Sequence, residues 1–276
     1  MSIERTRQAF ERCRSQQRPA LVTYLMGGDP TPKASWSLAM ACLEAGADVL
    51  EIGMPFSDPI ADGPTIQRAA ERSLRSGTTL EHCFELAEAV RRHSEAPIAL
   101  MGYVNPLLTY GTGRFFRRCA STGVDAVILP DVPPEEAQAL CASAGENGVG
   151  TVFLLAPTST PSRWEAAFRQ ATAFIYFVSI TGVTGSRSEL PAGLTDQLDQ
   201  VRGRSPVPVV VGFGISRPEQ ARALRGHTDG VVVGSAIVAQ IGRPGTPAQR
   251  VARVKATVSP LRKALDPAVR VKSARG

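Results

Sequence analysis

The sequence is short of the residues from which most metal and covalent centres are built. Its three histidines, His82, His93 and His227, form no metal-ligand cluster. That argues against a zinc site or a His-carboxylate metal aldolase. The five cysteines, Cys13, Cys42, Cys83, Cys119 and Cys141, include no C-x-x-C pair. Each falls in or beside a helix-like stretch, so small buried thiols are expected. Lysine occurs only at Lys33, Lys255, Lys263 and Lys272, none of them on a candidate strand. A Schiff-base nucleophile on a strand is therefore missing. No apolar run approaches a membrane span, and the opening MSIERTRQAFERCRS has no signal-like apolar core. The expectation is a soluble, cytoplasmic protein with no membrane partner.

What is present is mostly arginine and aliphatic side chains. The net charge is +6, but the arginines sit in doublets such as Arg91–Arg92 and Arg117–Arg118 on helix-like segments. A nucleic-acid binder concentrates charge on one face and interleaves aromatics. Solvated helix faces are the expected reading, with no nucleic-acid partner; an anionic small substrate is compatible. Hydrophobic residues make up 43% of 276 residues, enough for the core of one α/β barrel.

Short apolar runs alternate with amphipathic helices along the chain. The strand candidates are 20–27, 48–52, 97–103, 125–129, 150–155, 173–179, 207–212 and 230–234. Most are Val/Ile/Leu-rich without polar alternation, as strands covered on both faces should be. Helix signals lie between them: 31–45 ending at Gly46, Thr79 as N-cap of 80–93, and a Ser216/Glu219 capping box with Pro218 in the first turn. Eight β/α repeats suit a closed barrel or a large open sheet. The first strand leads into GGDPTP, not the G-x-G-x-x-G of open dinucleotide folds. The spacing therefore predicts an α/β fold, a (β/α)8 TIM barrel over 1–265. The first fourteen residues are expected to form an N-terminal capping helix at the barrel floor, and 266–276 a basic tail.

Barrel enzymes carry their chemistry at the C-terminal ends of strands. The second strand and its loop read VLEIGMPFSDPIADGPTIQ. Glu51 interrupts an otherwise apolar strand end, a costly position unless it is paired or functional. Asp58 and Asp62 follow in a loop stiffened by Pro55, Pro59 and Pro64. Turn chemistry alone accounts for Asp58; Glu51 and Asp62 suit acid–base work. The last three strands end in SITGVTGSRS, GFGIS and GSAI. Gly182, Gly185, Gly212, Gly214 and Gly234, with Ser235 opening a helix, predict a phosphate cradle. No metal, pyridoxal or flavin site is indicated. Any carbon–carbon cleavage on such a site would have to rest on proton transfers and an electron sink within the substrate.

The stretch LEIGMPFSDPIADGPTIQ closely resembles the strand-two motif of tryptophan synthase α subunits. YLMGGDP, MGYVNPLLTYG, GVDAVILPDVPPEE, SITGVTG, VGFGIS and VVGSAIV resemble that family in the same order, over roughly residues 4–265. The resemblance implies a carbon–carbon lyase that splits indole-3-glycerol phosphate into indole and glyceraldehyde 3-phosphate. It implies Glu51 as the proton-transfer carboxylate, Asp62 as acceptor of the indole N–H, and Tyr176 beside the reacting hydroxyl. It implies Thr184 as the partner of Asp62 on loop closure, and Gly185, Gly214, Gly234 and Ser235 as the phosphate cradle, with Gly212 and Phe213 close by. Tyr24, Leu100, Met101, Leu129 and Phe213 are expected to wall the indole slot. Many relatives carry arginine where this chain has Ile180. The implied partner is a β subunit holding pyridoxal phosphate in an α2β2 assembly, with no cofactor in this chain. Two rivals stand beside it: a free-standing lyase with the same residues, and a barrel kept as a binding subunit.

Overall fold

The computed structural model describes residues 2–179, 190–212 and 214–267. The chain opens with α1 (Ser2–Ser15), β1 (Ala20–Met26), α2 (Pro32–Glu44) and β2 (Val49–Gly53). It continues through α3 (Pro64–Arg75), α4 (Leu80–Arg91), β3 (Ile98–Met101), α5 (Val104–Tyr110), α6 (Thr112–Thr122) and β4 (Ala126–Ile128). Next come α7 (Gln138–Glu146), β5 (Gly150–Leu155), α8 (Pro161–Gln170), β6 (Phe174–Val178), α9 (Leu194–Arg204) and β7 (Val209–Gly212). The chain ends in α10 (Pro218–Ala223), β8 (Gly230–Val233), α11 (Ser235–Gly242) and α12 (Pro247–Leu265). The eight strands pair in sequence order, all parallel, and β8 closes on β1. The (β/α)8 barrel is thus formed, with every candidate strand in it.

Strand alternation divides the apolar side chains into two layers. Val22, Tyr24, Val49, Ala99, Met101, Ala126, Ile128, Phe174 and Tyr176 fill the barrel interior. Leu21, Leu25, Leu50, Ile52, Ile98 and Leu100 pack outward with the helices. The interior is closed below by α1, whose Phe10 ring lies 5.8 Å from Phe174. This is the expected capping helix.

The floor is held by acidic residues that precede even-numbered strands. The Asp48, Asp125 and Asp229 carboxylates accept the backbone N–H of Leu21, Ile98 and Val209, at 2.8, 2.8 and 2.9 Å. Each ties the start of one strand to the turn entering the next. Before β6 the Thr172 hydroxyl does the same for the Thr151 N–H, at 2.9 Å. Arginines neutralise the acids: Arg18 and Arg262 on Asp48, Arg5 and Arg91 on Asp125, Arg202 and Arg14 on Asp229. Part of the positive charge read as solvated helix faces is therefore consumed at the floor.

One helix start differs from expectation. The helix after β7 begins at Pro218 with Arg217 as its N-cap, so Ser216 stands one residue too early for the Ser216/Glu219 box. Gln220 occupies the third helical position, and its Oε1 accepts from the Ser216 and Arg217 N–H groups, both at 3.0 Å.

Asp125 is fully buried, and its loss would strand the Arg91 guanidinium beside an unpaired Ile98 N–H. Asp125→Ala is expected to destabilise the fold by about 3 kcal/mol, measured by urea unfolding at neutral pH.

Candidate active site

Glu51 is the third residue of β2, in register with Tyr24 on β1 and Ala99 on β3. Val49 faces the interior while Leu50 and Ile52 face the helices, so strand parity turns Glu51 into the barrel. It is 1% exposed, and its Oε2 has no hydrogen-bond partner. Among the described residues no ion pair reaches it. Burial, and then the nearby charge of Asp62, push its carboxyl up to about 8. Such a group keeps its proton near neutrality.

Asp62 lies just before Gly63, the N-cap of α3. Its backbone is pinned on both sides: its N–H donates to the Pro59 carbonyl at 3.1 Å, and its carbonyl accepts from Gln67 Nε2 at 2.9 Å. Burial pushes its carboxyl up to about 6, opposed by a hydrogen bond from Tyr103. The two carboxylates are thus shifted unequally, as distinct acid and base roles require. Asp58 takes no part: it is exposed, accepts from the Ser57 hydroxyl at 2.6 Å, and shapes the turn.

Two tyrosines project into the same space, Tyr24 from β1 and Tyr176 from β6, both buried. Each phenol tip rests on a glycine at the end of a neighbouring strand. A Cβ on Gly53 would stand 2.2 Å from the Tyr24 hydroxyl, and one on Gly212 would stand 2.5 Å from that of Tyr176. The strand-end glycines are therefore seats for these rings as well as a backbone approach to a ligand. Gly234 backs the ring of Tyr24 and is the N-cap of α11, with Ser235 exposed at the first helical position. Gly214 is exposed with φ +92°, a conformation that favours glycine. Gly212, Gly214, Gly234 and Ser235 thus stand at the ends of the last two strands. Gly182, Thr184, Gly185 and Phe213, like Ile180, lie outside the described residues.

Two expected wall residues are corrected. Leu100 belongs to the layer between strands and helices. Leu129 packs against that same layer and lines a small apolar cavity with Phe116, Leu140 and Cys141, beneath α6 and α7. The interior positions on these strands are Met101 and Ile128. A strand covered on both faces carries no alternation from which to read parity, so the sequence held no signal for the one-residue shift. Tyr103 was missed altogether. It is the N-cap of α5, two residues past the end of β3, where strand-end position alone marks it as a candidate. Its hydroxyl donates to Asp62 Oδ2 at 3.2 Å and accepts from the Ala61 N–H at 2.9 Å. Among the described residues no cluster of three or more His, Cys, Asp or Glu could hold a metal, and no helix is long and apolar enough to cross a membrane.

The raised Glu51 carboxyl has a consequence for stability. The folded state holds this proton more tightly than the unfolded chain, where the group titrates near 4.5. Its contribution is intact below that value and is lost as pH rises toward about 8. Glu51→Gln is therefore expected to melt above the wild type, with a gain absent near pH 4 and growing to roughly 1–3 kcal/mol by pH 8. Thermal unfolding across that range checks it.

Comparison with known proteins agrees with this geometry. Residues 10–266 match the family model described as tryptophan synthase alpha chain. The tryptophan synthase alpha chain of Geobacter sulfurreducens is 46% identical over 256 residues, covering 93% of this chain and 97% of the relative. That of Roseiflexus castenholzii is 45% identical over 261 residues, covering 94% and 100%. The solved tryptophan synthase subunit alpha of Legionella pneumophila superposes with a TM-score of 0.87 at 33% identity, covering 95% of this chain and 98% of the other. With the barrel closed and the strand-two carboxylates at its mouth, the chain belongs to the tryptophan synthase alpha chain family.

Proposed function

We propose that Glu51 and Asp62 divide the acid–base work of the family's reaction, with Tyr176 beside the reacting hydroxyl. The chain is a lyase of tryptophan biosynthesis: it cleaves indole-3-glycerol phosphate to indole and glyceraldehyde 3-phosphate. One observation carries the assignment. Glu51 is a buried carboxyl with no counter-cation among the described residues and an unpartnered oxygen, poised to hold a proton at neutral pH.

The steps balance without metal or lysine. Protonated Glu51 gives its proton to indole C3, making the ring an electron sink. Ionised Asp62 accepts the indole N–H bond and stabilises the positive charge that develops there. The side-chain hydroxyl next to the breaking bond then returns a proton to the Glu51 carboxylate as its oxygen becomes the aldehyde. The C–C bond electrons flow back into the ring, releasing indole. Tyr24, Met101 and Ile128 wall the indole slot. Gly212, Gly214, Gly234 and Ser235 receive the phosphate, favoured by the positive end of α11. Thr184, Gly185 and Phe213 are assigned to loop closure and the phosphate side on family resemblance alone.

We further propose a cytoplasmic α2β2 assembly in which a β subunit holds pyridoxal phosphate and consumes the indole. Two exposed apolar side chains support a partner at this rim: Ile60, 85% exposed after β2, and Leu108, 54% exposed on α5 after β3.

The test is indole release from indole-3-glycerol phosphate by the purified chain, alone and with a β subunit. Slow release alone and strong activation by the partner are expected, with kcat/KM rising near pH 6 and falling above pH 8 as the pair titrates. Glu51→Gln should cost roughly 10²–10⁴ in kcat. Fast release without a partner identifies a free-standing lyase. No release under either condition refutes the catalytic assignment.

A further inference from the structure

We infer that Tyr103 is a positioning residue that holds Asp62 in its ionised form and so widens the difference between the two carboxylates of the Glu51–Asp62 pair. The inference rests on the assignment of that pair to proton transfer.

A tyrosine hydroxyl has one proton to give. At Tyr103 the accepting side is occupied by the Ala61 N–H at 2.9 Å, so the proton is directed onto Asp62 Oδ2 at 3.2 Å. A hydrogen bond of this polarity is stronger to a carboxylate than to a neutral acid, so it selects ionised Asp62. The donor is held in place from several sides. The Tyr103 ring packs on Phe56, centroids 5.3 Å apart. The next residue, Val104, donates its N–H to both oxygens of Asp131 at 3.1 Å. The acceptor is equally fixed, through Pro59 and Gln67.

Among the described residues Glu51 Oε2 lies buried without a partner. The other ionisable groups facing the pair are Tyr24 from β1 and Tyr176 from β6, while Asp131, after β4, faces Tyr103. None of these is a cation, and among the described residues no ion pair reaches either carboxylate. A fully buried acid and a half-buried one that repel each other hold one proton between them at neutral pH. The Tyr103 hydroxyl adds a donor on the Asp62 side, and so reinforces the difference that the deeper burial of Glu51 sets up. It leaves Asp62 ionised to meet the indole N–H and keeps the proton on Glu51, where indole C3 requires it.

The direct test is a ¹³C-carboxyl NMR titration of the free protein, wild type against Tyr103→Phe, which needs no turnover. The Asp62 step is expected to rise by about one pH unit in the variant, a tenfold change in its ionisation constant, narrowing its distance from the Glu51 step. The acid limb of kcat/KM should follow, so that activity falls several-fold near pH 6 while the loss fades toward pH 8. In an Asp62→Asn background the further change Tyr103→Phe should leave the Glu51 step unmoved. A general packing defect would not respect that background. Should Tyr103→Phe fold poorly, 3-fluorotyrosine at the same position is a stronger donor and should move the Asp62 step down. An Asp62 step that stays put in both variants, while Glu51→Gln and Asp62→Asn abolish turnover, overturns the inference and leaves the catalytic pair standing. Turnover that survives Glu51→Gln and Asp62→Asn overturns the parent reading, and this inference with it.

Discussion

A carboxyl group is held inside a parallel barrel with no charge among the described residues to balance it, and the rest of the molecule is arranged around that cost. Glu51 sits where burial favours its neutral form. A soft structure would relieve the penalty by letting water in or by swinging the side chain out. Here β2 is pinned between β1 and β3 in fixed register, and the ring of Tyr24 is seated on Gly53 beside it. The penalty is kept, and it is what makes a weak acid useful near neutral pH.

The two ends of the barrel treat acids in opposite ways. At the floor, Asp48, Asp125 and Asp229 are each met by two arginines and a strand N–H. These groups are satisfied, and they brace the strand starts against one another. At the mouth, Asp62 meets the Tyr103 hydroxyl, Glu51 Oε2 is unpartnered, and no ion pair reaches either carboxylate among the described residues. Rigidity is thus concentrated at one face and unsatisfied polarity at the other, the division expected of barrels whose loops do the chemistry. The arginine excess, which from composition suggested only solvated surface, serves this division.

Much of the site was legible because it is written in single residues at marked places. Glu51 stands out as the one charge in VLEIG, and the glycines of GFGIS and GSAI stand out by their positions after strand candidates. Leu100 and Leu129 were misplaced for a definite reason. Their strands are apolar on both faces, so the period-two signal that would separate inside from outside is missing. The Ser216/Glu219 box failed by one residue because Pro218, rather than Arg217, opens the helix and Gln220 makes the contact. Helix ends depend on such small offsets.

The sequence by itself determined the order of strands and helices, the closed α/β class, the family, and the identity of the buried acid. These follow from local periodicity, from motif chemistry and from a charge where none should be. Only the tertiary structure decided which face of β3 and β4 looks into the barrel, and that Tyr103 reaches Asp62 across 41 residues of chain. The parity of a doubly covered strand is set by its register with its neighbours, and a bond between loops of different strands leaves no periodic trace. Both depend on how the barrel closes, which no local stretch of sequence encodes.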